Sequence, residues 1–154
     1  MLKKLLLILS LLVTQKAIAQ IHLDHNGIRT SIISDLSTQA TPSKFLLAEI
    51  GYNSHHWQRG GSVVIELFSH YYSTGYQRYV VEVGSERGTF DTFPLVFLRE
   101  AYGHSQSGKI ELGTPSGIGP SYGGYGNFAV PIYLNLRYYA RYKIRITYMQ
   151  DKVD

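Results

Sequence analysis

The chain has 154 residues, a formal net charge of +4 and no cysteine. The absence of cysteine excludes disulfides, thiolate metal sites and thiol nucleophiles. A chain of this length is expected to fold as one domain around a core of its own.

The first 19 residues have the pattern of a cleaved secretory signal peptide. Lys3 and Lys4 precede an apolar run at 5–13, and Ala17 and Ala19 have the spacing that signal peptidase prefers. The run is much shorter than the roughly 20 residues of a membrane-spanning helix, and no second run follows, so no transmembrane segment is expected after cleavage. Removing the signal leaves 12 basic and 11 acidic residues, a balance that gives no argument for nucleic-acid binding. We expect a secreted or periplasmic protein without a lipoprotein anchor.

Residues 20–44 predict a short N-terminal arm and linker. Asn26 and Gly27 form a hairpin-turn signal between two short apolar runs, and a polar stretch that ends at Pro42 follows. We expect this arm to lie outside the main domain and to take part in assembly.

Residues 45–154 predict an antiparallel β-sandwich. Positions 140–149 alternate strictly, with Tyr142, Ile144 and Ile146 on one side of the strand and basic residues on the other. No amphipathic helix of a dozen residues is present. About seven strands are expected, connected as in an immunoglobulin or a jelly-roll fold. The other predicted strands are 45–52, 62–72, 76–84, 94–101, 109–113 and 128–137.

The predicted connections are rich in glycine. Residues 73–75 separate two strands at hairpin spacing, with Gly75 able to take a positive φ, and 137–140 are expected to turn between the last two strands. Residues 113–127 contain six glycines and two prolines and predict a long surface loop. A strand follows this loop and the loop has no lysine, so its glycines do not indicate a phosphate site.

Charged residues on the predicted strands have structural explanations. Glu66 and Glu82 occupy consecutive strands and could be paired carboxylates, but strand glutamates more often pair with arginine, here Arg78, Arg137 or Arg145. The basic stripe Arg141, Lys143 and Arg145 is typical of an edge strand protected against aggregation.

The stretch NSHHWQRGG at 53–61 is the first candidate for chemistry. His55 and His56 are neighbours and would point to opposite sides of an extended chain, and no carboxylate lies nearby, so no metal site is predicted. We assign no catalytic residue and no cofactor. The stretch is interpreted as an exposed loop between two strands.

Aromatic content is the most informative signal of function. Tyrosine offers a rigid apolar ring with a hydroxyl group, which suits both glycan stacking and protein contacts. Most of the 13 tyrosines are explained by strand preference, but those in or beside turns are candidates for binding. The predicted ligand-binding residues are Trp57, His56, Arg59, Tyr76, Tyr122 and Tyr125.

Two stretches, GGSVVIELFSHYYSTGYQRYVVEVG and VPIYLNLRYYARYKIRITYMQDKVD, carry a resemblance. In strand pattern and tyrosine placement, residues 45–154 resemble small uncharacterised secreted β-sandwich proteins of bacteria and, less closely, tip domains of phage tail fibres. The resemblance implies an all-β head that follows a short arm and serves in attachment, as a homo-oligomer such as a trimer.

These observations lead to three hypotheses. The first is a non-catalytic module that binds a glycan or an envelope protein through loop aromatics. The second is a self-assembling envelope or fibre-tip protein, in which the same tyrosines lie between subunits. The third is a metal-dependent or hydrolytic enzyme.

Overall fold

The computed structural model describes residues 20–25, 27–53, 61–83, 94–119 and 126–149, and these residues form antiparallel strands without a helix. The all-β antiparallel prediction is confirmed, with more strands than expected. The predicted signal peptide, 1–19, lies outside the described residues. The strands are β1 (Gln20–His25), β2 (Ile28–Ser37), β3 (Ser43–Asn53), β4 (Gly61–Ser69), β5 (Gly75–Val83), β6 (Leu95–Gly103), β7 (Lys109–Leu112), β8 (Ser116–Gly117), β9 (Asn127–Leu136) and β10 (Arg141–Met149).

The strands form two sheets that share one hydrophobic core. The larger sheet has six strands in the order β1-β2-β10-β4-β5-β6, and the smaller has the order β3-β9-β7, with the short β8 also paired to β9. Side chains from both sheets are buried in a single cluster, because alternate positions of each strand point toward the opposite sheet. The fully buried members include Ile65, Leu67, Val81, Tyr142 and Ile144 from the larger sheet and Ile132 and Leu134 from the smaller.

A long antiparallel ribbon joins the two sheets. Strands β2 and β3 pair along their lengths with β10 and β9, from Ile28 opposite Met149 to Asn53 opposite Asn127. The ribbon bends from one sheet to the other at 38–42 and 137–140, so the predicted turn between the last two strands is confirmed.

Residues 28–37, expected within an arm, form a strand inside the six-stranded sheet. Gly27 has a φ of 81° at the predicted hairpin turn, and β2 continues from that turn to pair with β10. Ile33 and Leu36 belong to the core. They are three positions apart, and an extra residue in β2 between them, opposite the step from Tyr142 to Ile144 in β10, lets both face inward.

The basic strand β10 is not an edge strand, contrary to the prediction. It lies between β2 and β4, where cross-strand acids pair with its arginines. Arg141 binds Asp35 through Nε and Nη2 at 2.7 Å and 2.5 Å, and Arg145 binds Glu66. The stripe therefore contributes to cross-strand ion pairs, as the sequence predicted for Glu66.

Gly75 is needed for close packing and does not have the positive φ that the sequence suggested. A Cβ added there would lie 1.7 Å from the carbonyl oxygen of Ser105, so no side chain fits. In this connection it is Tyr72 that has a positive φ, of 62°.

A buried polar network ties the segment after β6 to the larger sheet. The Gln77 side chain binds Gly108 twice, accepting from its N–H at 3.0 Å and donating to its carbonyl at 2.8 Å. The Tyr142 hydroxyl accepts from the N–H groups of Ser107 and Gly108, both at 3.1 Å. Buried polar groups are stable when they are paired in this way.

Candidate functional site

Of the six predicted binding residues, the structure describes Tyr76. His56, Trp57 and Arg59 fall in 54–60, and Tyr122 and Tyr125 fall in 120–125, outside the described residues. Tyr76 is the second residue of β5, close to the connection at 70–74, in agreement with the predicted strand 76–84 that begins beside a turn. Its neighbours Gly75 and Gln77 face the interior, so its ring lies on the outer face of the six-stranded sheet.

Tyr76 lies in the middle of a cross-strand line of rings that we call the aromatic row: Phe68, Tyr76 and Tyr102. Phe68 is the register partner of Tyr76 on β4, and Tyr102 is its partner on β6. The ring centroids of Phe68 and Tyr76 are 5.2 Å apart, and those of Tyr76 and Tyr102 are 6.2 Å apart with the rings nearly parallel. Phe68 is 37% exposed and Tyr102 63% exposed, so the row meets solvent.

A second line, the charged row, runs beside the aromatic row and consists of Arg145, Glu66, Arg78 and Glu100. These four residues are register partners on β10, β4, β5 and β6, and their signs alternate. Arg145 binds both oxygens of Glu66, and Arg78 Nη1 lies 3.2 Å from Glu100 Oε1. Because opposite charges are adjacent throughout, the row presents hydrogen-bonding groups without a net charge.

A hydrogen bond links the two rows at their centre. The Tyr76 hydroxyl donates to Glu66 Oε1 at 2.9 Å. The bonds from Arg145 hold the pKa of Glu66 below its usual value, against the opposing effect of burial. Burial, and then the bond to Glu66, raise the pKa of Tyr76 to about 12. The bond therefore joins a neutral tyrosine to an ionised carboxylate, and it fixes the Tyr76 ring on the face.

Part of this arrangement can be found in the sequence. Tyr72 lies midway in the sequence between Phe68 on β4 and Tyr76 on β5. It also lies midway between Glu66 on β4 and Arg78 on β5. A hairpin centred there pairs Phe68 with Tyr76 and Glu66 with Arg78, as observed, whereas the turn predicted at 73–75 would have placed Tyr76 opposite Tyr72. The positions of Tyr102 and Glu100 on β6 could not be found in this way, because the register between β5 and β6 shifts between Arg78 and Tyr79.

The geometry suits binding along a flat surface. Three adjacent strands space the rings over about 10 Å, since neighbouring strands lie roughly 4.8 Å apart. Sugar rings have one apolar C–H face that stacks on aromatic rings and hydroxyls that bind charged or polar groups. A general acid for glycoside hydrolysis needs a raised pKa, and the pKa of Glu66 is lowered. Glu66 is therefore not suited to the role of that general acid.

Within the part of the chain that the structure describes, no three metal-ligating side chains come together. In the same part, no helix has the length and apolar character to cross a membrane. Comparison of the chain with protein-family models, curated proteins and solved structures finds no match.

Proposed function

We propose that the protein is a secreted or periplasmic, non-catalytic binding module that attaches to a neutral envelope glycan through the aromatic row. The observation that carries the proposal is the aromatic row beside the charge-balanced row, with Phe68 and Tyr102 exposed on either side of the half-buried Tyr76. An envelope protein is the alternative partner for the same face.

The row is organised before any ligand arrives. Its rings stand on paired strands, and the middle ring is held by Glu66, which Arg145 holds in turn. Little conformational freedom is lost when such a surface binds, which favours affinity. The ion pairs of the charged row leave hydrogen-bonding capacity for sugar hydroxyls, and they offer no net charge to attract an ionic polymer.

We propose that the two sheets form a sandwich wound in the jelly-roll manner. The ribbon of 28–53 paired with 127–149 passes from one sheet to the other. A jelly roll is wound in the same way, as a long hairpin folded across two sheets. The meander of β4, β5 and β6 within one sheet departs from a full double Greek key. The six-stranded sheet that results has a broad outer face for the aromatic row.

The loop residues His56, Trp57, Arg59, Tyr122 and Tyr125 remain predicted contacts. A Trp57→Ala variant tested on the same glycans shows whether 53–61 adds to binding by the sheet face. We expect a smaller loss than removal of a ring from the aromatic row causes.

A second function, self-assembly, is favoured by the edge strand β1. Ile21 and Leu23 are each 55% exposed, and β1 has β2 as its one strand partner among the described residues. Unpaired edges with exposed apolar side chains join other strands readily. Light scattering during size-exclusion chromatography tests this alternative: a homo-oligomer that Ile21→Lys dissociates supports it, and a monomer contradicts it.

The binding proposal is tested with Tyr102→Ala against Tyr138→Ala. Tyr138 is 56% exposed and lies away from the aromatic row, so it is a matched control for loss of a surface ring. In affinity electrophoresis with a panel of neutral polysaccharides, we expect Tyr102→Ala to weaken binding about tenfold, since a stacked ring contributes about 1–2 kcal/mol. Tyr138→Ala should bind as the unaltered protein does. Failure to bind any polysaccharide, or equal loss in both variants, contradicts the proposal.

A further inference from the structure

The bend of the ribbon carries a depression of about 340 Å³ that is separate from the aromatic row. Tyr71, which follows β4, and Tyr139, in the turn before β10, are on its walls. Asp35 and Arg141 contribute the charged part of the lining, and Gln39 adds a polar side chain. Its volume is at the lower end of the range for small-molecule sites, which suits one ring better than a polymer.

Each of the two tyrosines on the walls has a neighbouring tyrosine that does not line the depression: Tyr72 beside Tyr71, and Tyr138 beside Tyr139. The Tyr71 and Tyr72 ring centroids are 4.1 Å apart, and the Tyr71 hydroxyl donates to that of Tyr72 at 3.2 Å. Tyr138 and Tyr139 are in edge contact at 6.0 Å. All four rings are exposed, and Tyr72 is 83% exposed. The site thus combines apolar ring surface with hydroxyl groups.

One residue of each tyrosine pair has a strained backbone. Tyr72 has a φ of 62° and Tyr139 a φ of 48°, and they are the two non-glycine residues with positive φ in the described ranges. A bulky residue rarely adopts this conformation because it is strained relative to glycine, and such strain clusters at binding and catalytic sites. An exposed tyrosine ring contributes little to the core that would offset this cost, so a role outside folding is indicated.

The charges at the depression compensate each other. Arg141 binds both oxygens of Asp35, and each side chain remains nearly half exposed. The pair therefore offers donors and acceptors together without a net charge. A sugar hydroxyl both donates and accepts, whereas an anion would compete with Asp35 for the guanidinium.

We propose that this depression binds a single neutral sugar ring, stacked on Tyr139 or Tyr71 and hydrogen-bonded to Asp35 and Arg141. The site is independent of the proposed function, because it shares no residue with the aromatic row. The sugar is either free or the end residue of a glycan, since both present the same ring and hydroxyls.

The test is saturation-transfer NMR and calorimetric titration with glucose, galactose, mannose and N-acetylglucosamine, beside glucuronate as the anionic counterpart. We expect at least one neutral sugar to bind, and glucuronate to bind more weakly. If a methyl glycoside binds as tightly as the free sugar, the site accepts the end residue of a glycan. If the methyl glycoside does not bind, the site takes free sugars. No binding by any neutral sugar, or tighter binding of glucuronate, overturns the proposal.

Variants locate the binding. Tyr139→Asn removes the ring and keeps a residue that tolerates positive φ, so the fold should be retained while affinity falls about tenfold or more. Tyr71→Ala is a second variant with the same expectation. Tyr138→Ala and Tyr102→Ala should leave sugar affinity unchanged. Loss of sugar binding in Tyr102→Ala, or full binding by both Tyr139→Asn and Tyr71→Ala, overturns the assignment to the depression.

Discussion

Thr38 and Ala140 bind each other reciprocally at the bend of the ribbon. The Thr38 N–H donates to the Ala140 carbonyl at 2.9 Å, and the Ala140 N–H donates to the Thr38 hydroxyl oxygen at 2.9 Å. The same hydroxyl donates to the carbonyl of Arg137 at 2.6 Å. Both residues are buried, so one side chain satisfies backbone groups that water does not reach.

We expect Thr38→Val to lower the free energy of unfolding by about 1–3 kcal/mol, because it leaves the buried Ala140 N–H without an acceptor. Urea denaturation followed by circular dichroism measures this loss. Thr38→Ser keeps the hydroxyl and removes one methyl group, so it should cost about 1 kcal/mol or less. Equal losses in the two variants would show that volume matters here and the hydrogen bonds do not.

The Glu66–Tyr76 bond predicts two limits of stability with pH. The folded-state pKa of Glu66 is lowered, so its stabilising contribution is present above its ordinary value of 4.5 and is lost as the pH falls through the folded value. The folded-state pKa of Tyr76 is raised from 10.0 to about 12, so its contribution is present below pH 10.0 and is lost as the pH rises toward about 12.

Urea denaturation over a range of pH checks both limits. Glu66→Gln should reduce the loss of unfolding free energy at acid pH, and Tyr76→Phe should reduce the loss at alkaline pH. At neutral pH, Glu66→Gln should also cost about 1–3 kcal/mol, because the bonds from Arg145 lose their ionised partner. If both variants keep the pH dependence of the unaltered protein, other groups determine it.

Gly75→Ala should prevent or severely weaken folding. The added Cβ would meet the backbone of Ser105, with the carbonyl oxygen at 1.7 Å and the carbonyl carbon at 2.5 Å, and backbone atoms cannot move aside as a side chain does. We expect a loss of about 3 kcal/mol or more in thermal or urea unfolding.

Gly117→Ala is the control for the glycine substitution. Gly117 is exposed, and a Cβ there would meet nothing within 4 Å. Its free energy of unfolding should change by less than about 0.5 kcal/mol. A stable Gly75→Ala protein would contradict the observed approach of β5 to Ser105.

The sequence predicts those features that depend on local pattern. Alternation predicts that Tyr142, Ile144 and Ile146 point inward, as they do. The adjacent predicted strands 62–72 and 76–84 do pair as β4 and β5, but the turn predicted at 73–75 gives a different register from the observed pairing of Phe68 with Tyr76.

Strand β2 escapes prediction because Ile33 and Leu36 do not have a spacing of two. The extra residue between them is recognised only from the pairing of β2 with β10, more than a hundred residues away.

The depression at the bend of the ribbon could not be predicted because its two tyrosines are distant in sequence. Tyr71 and Tyr139 are far apart in the chain and meet only because β10 lies between β2 and β4. The strained φ values of Tyr72 and Tyr139 leave no mark in the sequence, where glycine or asparagine would be the expected signal. A tyrosine pair at the end of a strand predicts a strand residue, which is how the sequence assigned Tyr71 and Tyr72.

The position of β10 determines when the six-stranded sheet can be completed during folding. As the chain emerges from the ribosome or a translocation channel, β2 and β4 are present early, but the strand that separates them in the sheet is the last of those described. Most pairings of β2 and β3 are with segments about a hundred residues later, a topology that folds slowly. Until β10 arrives, β2 and β4 each expose an edge, and a partner that holds nascent chains unfolded would protect them from aggregation.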